Sequence, residues 1–96
     1  FLVRKQTKET AETFGLMDRG QIKEGYMADI NIIDHDNLCV YKPEMVHDLP
    51  TGSRRIIQKA GGYIATIKSG VVTFKNDEAT GELPGTLIRG EQTAAA

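Results

Sequence analysis

Tryptophan is absent from these 96 residues, cysteine occurs once, proline three times, and aromatic side chains make up 6%. A lone Cys39 excludes any internal disulfide and suits a reducing compartment, so a cytoplasmic setting is the expectation. No apolar run approaches the roughly 20 residues that a membrane-spanning helix needs. Charge of one sign is also missing: 12 Lys and Arg against 13 Asp and Glu leave a net charge of -1. That balance argues against a broad nucleic-acid or acidic-membrane surface. The small basic groups that remain, Arg4, Lys5 and Lys8 or Arg54 and Arg55, read as solvated surface. Phe1-Leu2-Val3 stands before Arg4 and Lys5, the reverse of a signal peptide's order. With Phe1 rather than methionine at its head, the chain is expected to be a piece of a longer polypeptide. Its length suits one small domain, or part of a larger one, with a modest buried fraction.

What is present is a short helical signal followed by strands punctuated with glycine. Residues 1–14 are the one convincing helical region. Thr7 is suited to cap a short helix, with Glu9 in its first turn and residues 1–6 as the tail of an earlier helix. Ala11 and Phe14 then share a face, and Gly15 is a natural C-terminal stop. Ile22 lies between Gly20 and Gly25 in a stretch that fits only a small strand or an extended turn. Asp29 to Ile33 predicts a strand with Ile30 and Ile32 on one face, closed by a turn over residues 34–37. Leu38 to Tyr41 is expected to be extended, and Pro43 to open a loop through Pro50 and Gly52. Arg55 to Ala60 predicts another strand. The clearest local signal is Tyr63 to Lys68 and Val71 to Lys75 around Ser69-Gly70, a β-hairpin with a two-residue turn. Asn76-Asp77 closes it, and residues 80–85 read as loop.

Chemistry is harder to find. A phosphate loop needs glycines opening directly into a helix, whereas Gly20 and Gly25 lead into a strand. Asp34, His35, Asp36, Cys39 and His47 are of zinc-ligating type, but no paired spacing joins them; a solvated turn and a loop histidine are the plainer reading. Cys39 with His47 could form a thiol and its base, yet Leu-Cys-Val suits a buried, inert thiol. Ser53 and Ser69 lie in no nucleophile elbow. Asp29 is placed to accept local backbone N–H groups at the start of its strand, while Glu44 and Asp48 lie in a loop without an identifiable partner. Tyr26, Tyr41 and Tyr63 sit where half-buried tyrosines are common. No catalytic constellation emerges.

The order of motifs says more. Ala11 to Gly20, then Ile22, Gly25 and Ala28-Asp29 leading to an aliphatic strand that ends in Asp34, resembles the C-terminal signature of the amidohydrolase superfamily. Pro43 to Arg55, with Asp48-Leu49-Pro50 and Gly52, resembles the PE-x-x-x-DLP-x-G-x-R stretch of N-acyl-D-amino-acid deacylases. Gly62-Tyr63, Val71-Val72, Thr80-Gly81-Glu82-Leu83-Pro84-Gly85 and Leu87-Ile88-Arg89-Gly90 also fit that group. Together the similar stretches run from about residue 7 to residue 90.

The resemblance implies a mainly β fold with a short N-terminal helix: a small β-sandwich or half-barrel, the accessory β-domain of a metal-dependent amidohydrolase. Residues 1–15 would end a barrel-side helical segment, residues 16–90 would form the β-domain, and residues 91–96 a disordered tail. Members of the group are zinc-dependent hydrolases of N-acyl-D-amino acids, the metal supplying activated water and polarising the acyl carbonyl. Their His-x-His pair, further histidines and aspartate would lie before Phe1, so the resemblance implies no catalytic, cofactor or metal residue here, with zinc held by the parent. Gly20, Gly25, Ala28, Asp29, Asp48, Pro50, Gly52, Gly81, Pro84 and Gly85 form the structural signature. The expected partners are the parent's barrel and N-terminal strands, or a second copy over an unpaired sheet edge. A free-standing β module that binds a protein or small ligand is the rival reading. A self-contained metal site around His35, Cys39 and His47 is the third.

Overall fold

The structure, a computed structural model, describes residues 1–92. The expected tail of residues 91–96 lies outside the described residues from position 93 onward. The fold is mainly β, with a short N-terminal helix and antiparallel sheets.

The helix runs without a break over residues 2–13. Leu2–Arg4 and Thr10–Thr13 are α-helical, and Lys5–Glu9 between them forms a wider π turn. Thr7 is therefore inside the helix rather than at its cap. Its hydroxyl donates to the Val3 carbonyl at 2.7 Å, while Thr10 donates to Lys5 at 2.6 Å and Thr13 to Glu9 at 2.8 Å. Threonine hydroxyls bonded back to helix carbonyls bend and loosen the ladder, and the widened turn falls among them. The break expected at Thr7 is thus a bulge within one helix. Glu9 answers Lys5 at 2.7 Å and Arg4 at 3.3 Å, and Glu12 answers Lys8 at 2.6 Å, so the basic residues here are paired locally. The helix stops as expected: Gly15, at φ 73°, donates its N–H to Glu12, and Leu16 donates to Ala11 at 2.8 Å. These two bonds satisfy carbonyls of the last turn. Ala11 is buried, but Phe14 is 72% exposed, so the two do not share a packed face.

Gly20 is where the following loop meets the helix. A Cβ there would lie 2.8 Å from the Thr7 carbonyl oxygen and 2.9 Å from the Ala11 Cβ, and its φ of +91° also excludes most side chains. Ile22 joins no strand and is almost fully exposed. Lys23 to Tyr26 form a turn with Gly25 at φ 83° and a Tyr26 N–H to Lys23 carbonyl bond of 3.1 Å.

The main sheet has the order β1-β6-β7-β8, with β1 Ile30–Ile33, β6 Tyr63–Lys68, β7 Val71–Lys75 and β8 Glu78–Ala79. Ile30 pairs with Ile67, Asn31 with Thr66 and Ile32 with Ala65, after which a bulge brings Ile33 opposite Tyr63. The hairpin of β6 and β7 has the expected boundaries. Ser69 and Gly70 have φ of 52° and 80°, the two positive values that a type I′ turn requires. A second such turn follows at Asn76-Asp77, at φ 50° and 66°, and leads into β8, a strand the sequence reading did not include.

Two small ribbons complete the fold. β2 Cys39–Val40 pairs with β5 Ala60–Gly61, and β3 Glu44–Val46 with β4 Arg55–Ile57. The single strand expected over residues 55–60 is thus split between two ribbons. The loop expected from Pro43 contains β3, whose backbone finds its ladder in β4. Among the described residues the buried apolar side chains are only Ala11 and Ala65, at 7% and 9% exposure.

Candidate functional site

The most connected polar cluster gathers around Asp29, in the loop before β1. Its carboxylate accepts from Lys68 Nζ at 3.0 and 3.2 Å and from the Ser69 backbone N–H at 3.0 Å. Arg19 Nη1 lies 3.6 Å away, and Arg19 Nε donates to Asp18 Oδ1 at 3.0 Å. Burial alone would raise the Asp29 pKa, but the Ser69 N–H, Lys68 and Arg19 outweigh it and hold the carboxyl below its usual range. The Arg19 hydrogen bond likewise lowers Asp18. The backbone N–H that Asp29 accepts is therefore not the local one that the sequence suggested. It belongs to a residue 40 positions away. Every charge in this cluster is paired, a state suited to holding chain segments together rather than to moving protons.

Asp48 also has a partner, contrary to expectation. Arg55 Nε and Nη2 each donate to one of its oxygens at 2.6 Å, a two-pronged pair that lowers the Asp48 pKa and raises that of Arg55. The pair closes the loop between β3 and β4. Within that loop Gly52, at φ +72°, donates its N–H to Leu49 at 2.8 Å, so Pro50 and Thr51 form a turn. Thr51 and Ser53 share a hydroxyl bond of 2.6 Å. Glu44 opens β3 and pairs with Ile57 in the ladder.

The zinc-type residues remain apart. His35 and Asp36, 3.8 Å from each other, are nearly fully exposed on a 3₁₀ turn, and Asp34 accepts from Asn37 Nδ2 at 2.6 Å. Among the described residues no three His, Cys, Asp or Glu side chains gather as a metal would require. The donor set does not fit a zinc ion. Cys39 is exposed, not buried, because β2 is a two-residue strand that among the described residues pairs only with β5. The neighbouring Cys39 side chain raises the Tyr41 pKa. His47 follows β3 and is exposed.

An open cavity of about 500 Å³ lies beside β6, with Tyr41, Tyr63 and Phe74 in its wall and Lys59 and Asp77 at its polar points. A second, of about 540 Å³, runs under residues 81–85, where Gly81, Pro84 and Gly85 form its lip. Ala28, the last of the signature residues, accepts the Gly70 N–H at 3.0 Å, tying the loop before β1 to the hairpin turn. No helix among the described residues is long and apolar enough to cross a membrane.

Comparison with curated proteins gave no match, and neither did comparison with solved structures. A family model described as Amidohydrolase family matches residues 1–74, which takes in the helix, the Gly20 junction, the Asp29 cluster, the Asp48–Arg55 pair and the β6–β7 hairpin. Residues 81–85 lie beyond the matched span. On that match the chain belongs to the amidohydrolase family.

Proposed function

We propose that this chain is the C-terminal β-domain of a zinc-dependent amidohydrolase that cleaves the amide of N-acyl-D-amino acids, and that it contributes structure rather than catalytic groups. The observation that carries the reading is the mismatch between chain and core. The accessible surface is 7920 Å², where a compact monomer of this size exposes about 5,500 Å². Ile22 and Leu83 are 89% and 93% exposed, and Phe1, Leu2, Val3 and Phe14 leave the helix apolar on its outside. Apolar surface on this scale is the mark of an interface. The partners that fit are the catalytic barrel, beside the helix, and further strands beside β1, which among the described residues pairs only with β6. A second copy over the same β1 edge is the alternative cover. Zinc belongs to the barrel in this reading, the substrate class rests on the stretch from Pro43 to Arg55, and the setting is cytoplasmic, with neither nucleic acid nor membrane as partner.

The coding sequence upstream of Phe1 tests the reading. A His-x-His pair following a strand pattern supports it, and a start codon close before Phe1 with no such pair contradicts it. The cavity lined by Tyr41, Tyr63 and Phe74 favours the rival, a free-standing module for a small amphipathic ligand. A short open reading frame would leave that rival standing.

A further inference from the structure

The isoleucines of β1 fix its pairing poorly. In Ile30-Asn31-Ile32-Ile33 the apolar residues occupy both faces, so a slip by one position replaces Ile32 with Ile33 and still presents an aliphatic side chain. A bulge at Ile32/Ile33 shows that the ladder already tolerates a shift. Something other than the hydrophobic pattern must select the observed register.

Asp29 stands immediately before Ile30, and Ile30 pairs with Ile67, immediately before Lys68. The carboxylate takes Lys68 Nζ on both oxygens and the Ser69 N–H on Oδ1, and the Gly70 N–H donates to Ala28 beside it. A slip of one residue carries Asp29 about 3.3 Å along the strand and to the other face, which breaks all of these bonds. We propose that Asp29 sets the register of β1 against β6 and, through Arg19, orients the sheet on the N-terminal helix. Arg19 makes the second link because Asp18 accepts the Met27 N–H at 2.8 Å and Gly20, next in the chain, rests on the helix at Thr7 and Ala11. The charged groups facing Asp29 are Lys68 from β6 and Arg19 from the junction loop, with Asp18 behind Arg19. The inference concerns this chain's own folding and holds whichever reaction the whole enzyme catalyses.

Paired cysteines read the register directly. In the intact polypeptide with Cys39→Ser, Asn31→Cys with Thr66→Cys reports the observed register, and Ile32→Cys with Thr66→Cys reports the slipped one. With Asp29 present, the first pair oxidises about tenfold faster than the second, because directly opposed positions alone meet disulfide geometry. Asp29→Ala brings the ratio close to one. Asp29→Asn, which keeps an acceptor for Ser69 but loses the charge, gives an intermediate ratio, as does Lys68→Met. Should Asp29→Ala not fold, the last two variants carry the test. An unchanged ratio in Asp29→Asn and Lys68→Met overturns the proposal.

Discussion

Two glycines with the same backbone sign differ sharply in what surrounds them. Gly20 has the Thr7 carbonyl oxygen 2.8 Å from its missing Cβ, while at Gly52 nothing lies within 4 Å. Gly20→Ala therefore combines left-handed strain with a collision against helix backbone and costs about 2–4 kcal/mol. Gly52→Ala carries the strain alone, about 1–2 kcal/mol. Denaturant midpoints of the two variants in the intact polypeptide check the order. The Asp48–Arg55 pair makes a second prediction at this scale. Lysine cannot supply two parallel donors, so Arg55→Lys lets the Asp48 pKa rise toward the ordinary carboxylate range, as a carboxyl-carbon NMR titration would record. For Asp18, Asp29 and Asp48 the folded pKa lies below the unfolded one. Their contribution to stability is complete above the ordinary carboxylate range and is lost as pH falls through the lowered values. Acid titration of unfolding should show this loss, and Asp29→Asn should make it shallower.

Among the elements, the β6–β7 hairpin was legible in the sequence because two β-forming runs around a two-residue Ser69-Gly70 are a purely local signal. Gly15 as the helix stop was legible for the same reason. Elements that depend on distant partners were not. β3 hid behind Pro43 and the Leu49-Pro50 turn, since only β4 gives its backbone a ladder. The donors to Asp29 are not legible locally because Lys68 and Ser69 lie 39 and 40 positions along the chain. Asp48 and Arg55 stand seven apart, but their meeting requires the turn at Gly52. Thr7 signalled a break that the helix absorbs as a π turn. Ser69, a non-glycine residue at φ 52°, offers a test at this scale. Asn-Gly suits a type I′ turn better than Ser-Gly, so Ser69→Asn should stabilise the hairpin by about 0.5 kcal/mol, seen as a higher denaturant midpoint.

The molecule as a whole is a member of the amidohydrolase family whose described residues bury two alanines and leave many large apolar side chains outside. Family membership was legible in spaced motifs, Ala28-Asp29 above all, because such motifs record the backbone turns and paired charges that the structure displays at Gly20 and Asp29. His35, Cys39 and His47 lie on separate exposed segments, so their shared zinc-ligating type in the sequence does not translate into a common site among the described residues. The function proposed for the chain is to give structure to an enzyme whose reacting groups lie elsewhere. Hydrolysis of N-acetyl-D-amino acids in the presence of zinc tests it most directly, comparing the purified 96-residue chain with the polypeptide of the full open reading frame. Turnover is expected from the full polypeptide and none above a mock preparation from the chain alone; measurable turnover by the chain alone would overturn the proposed function.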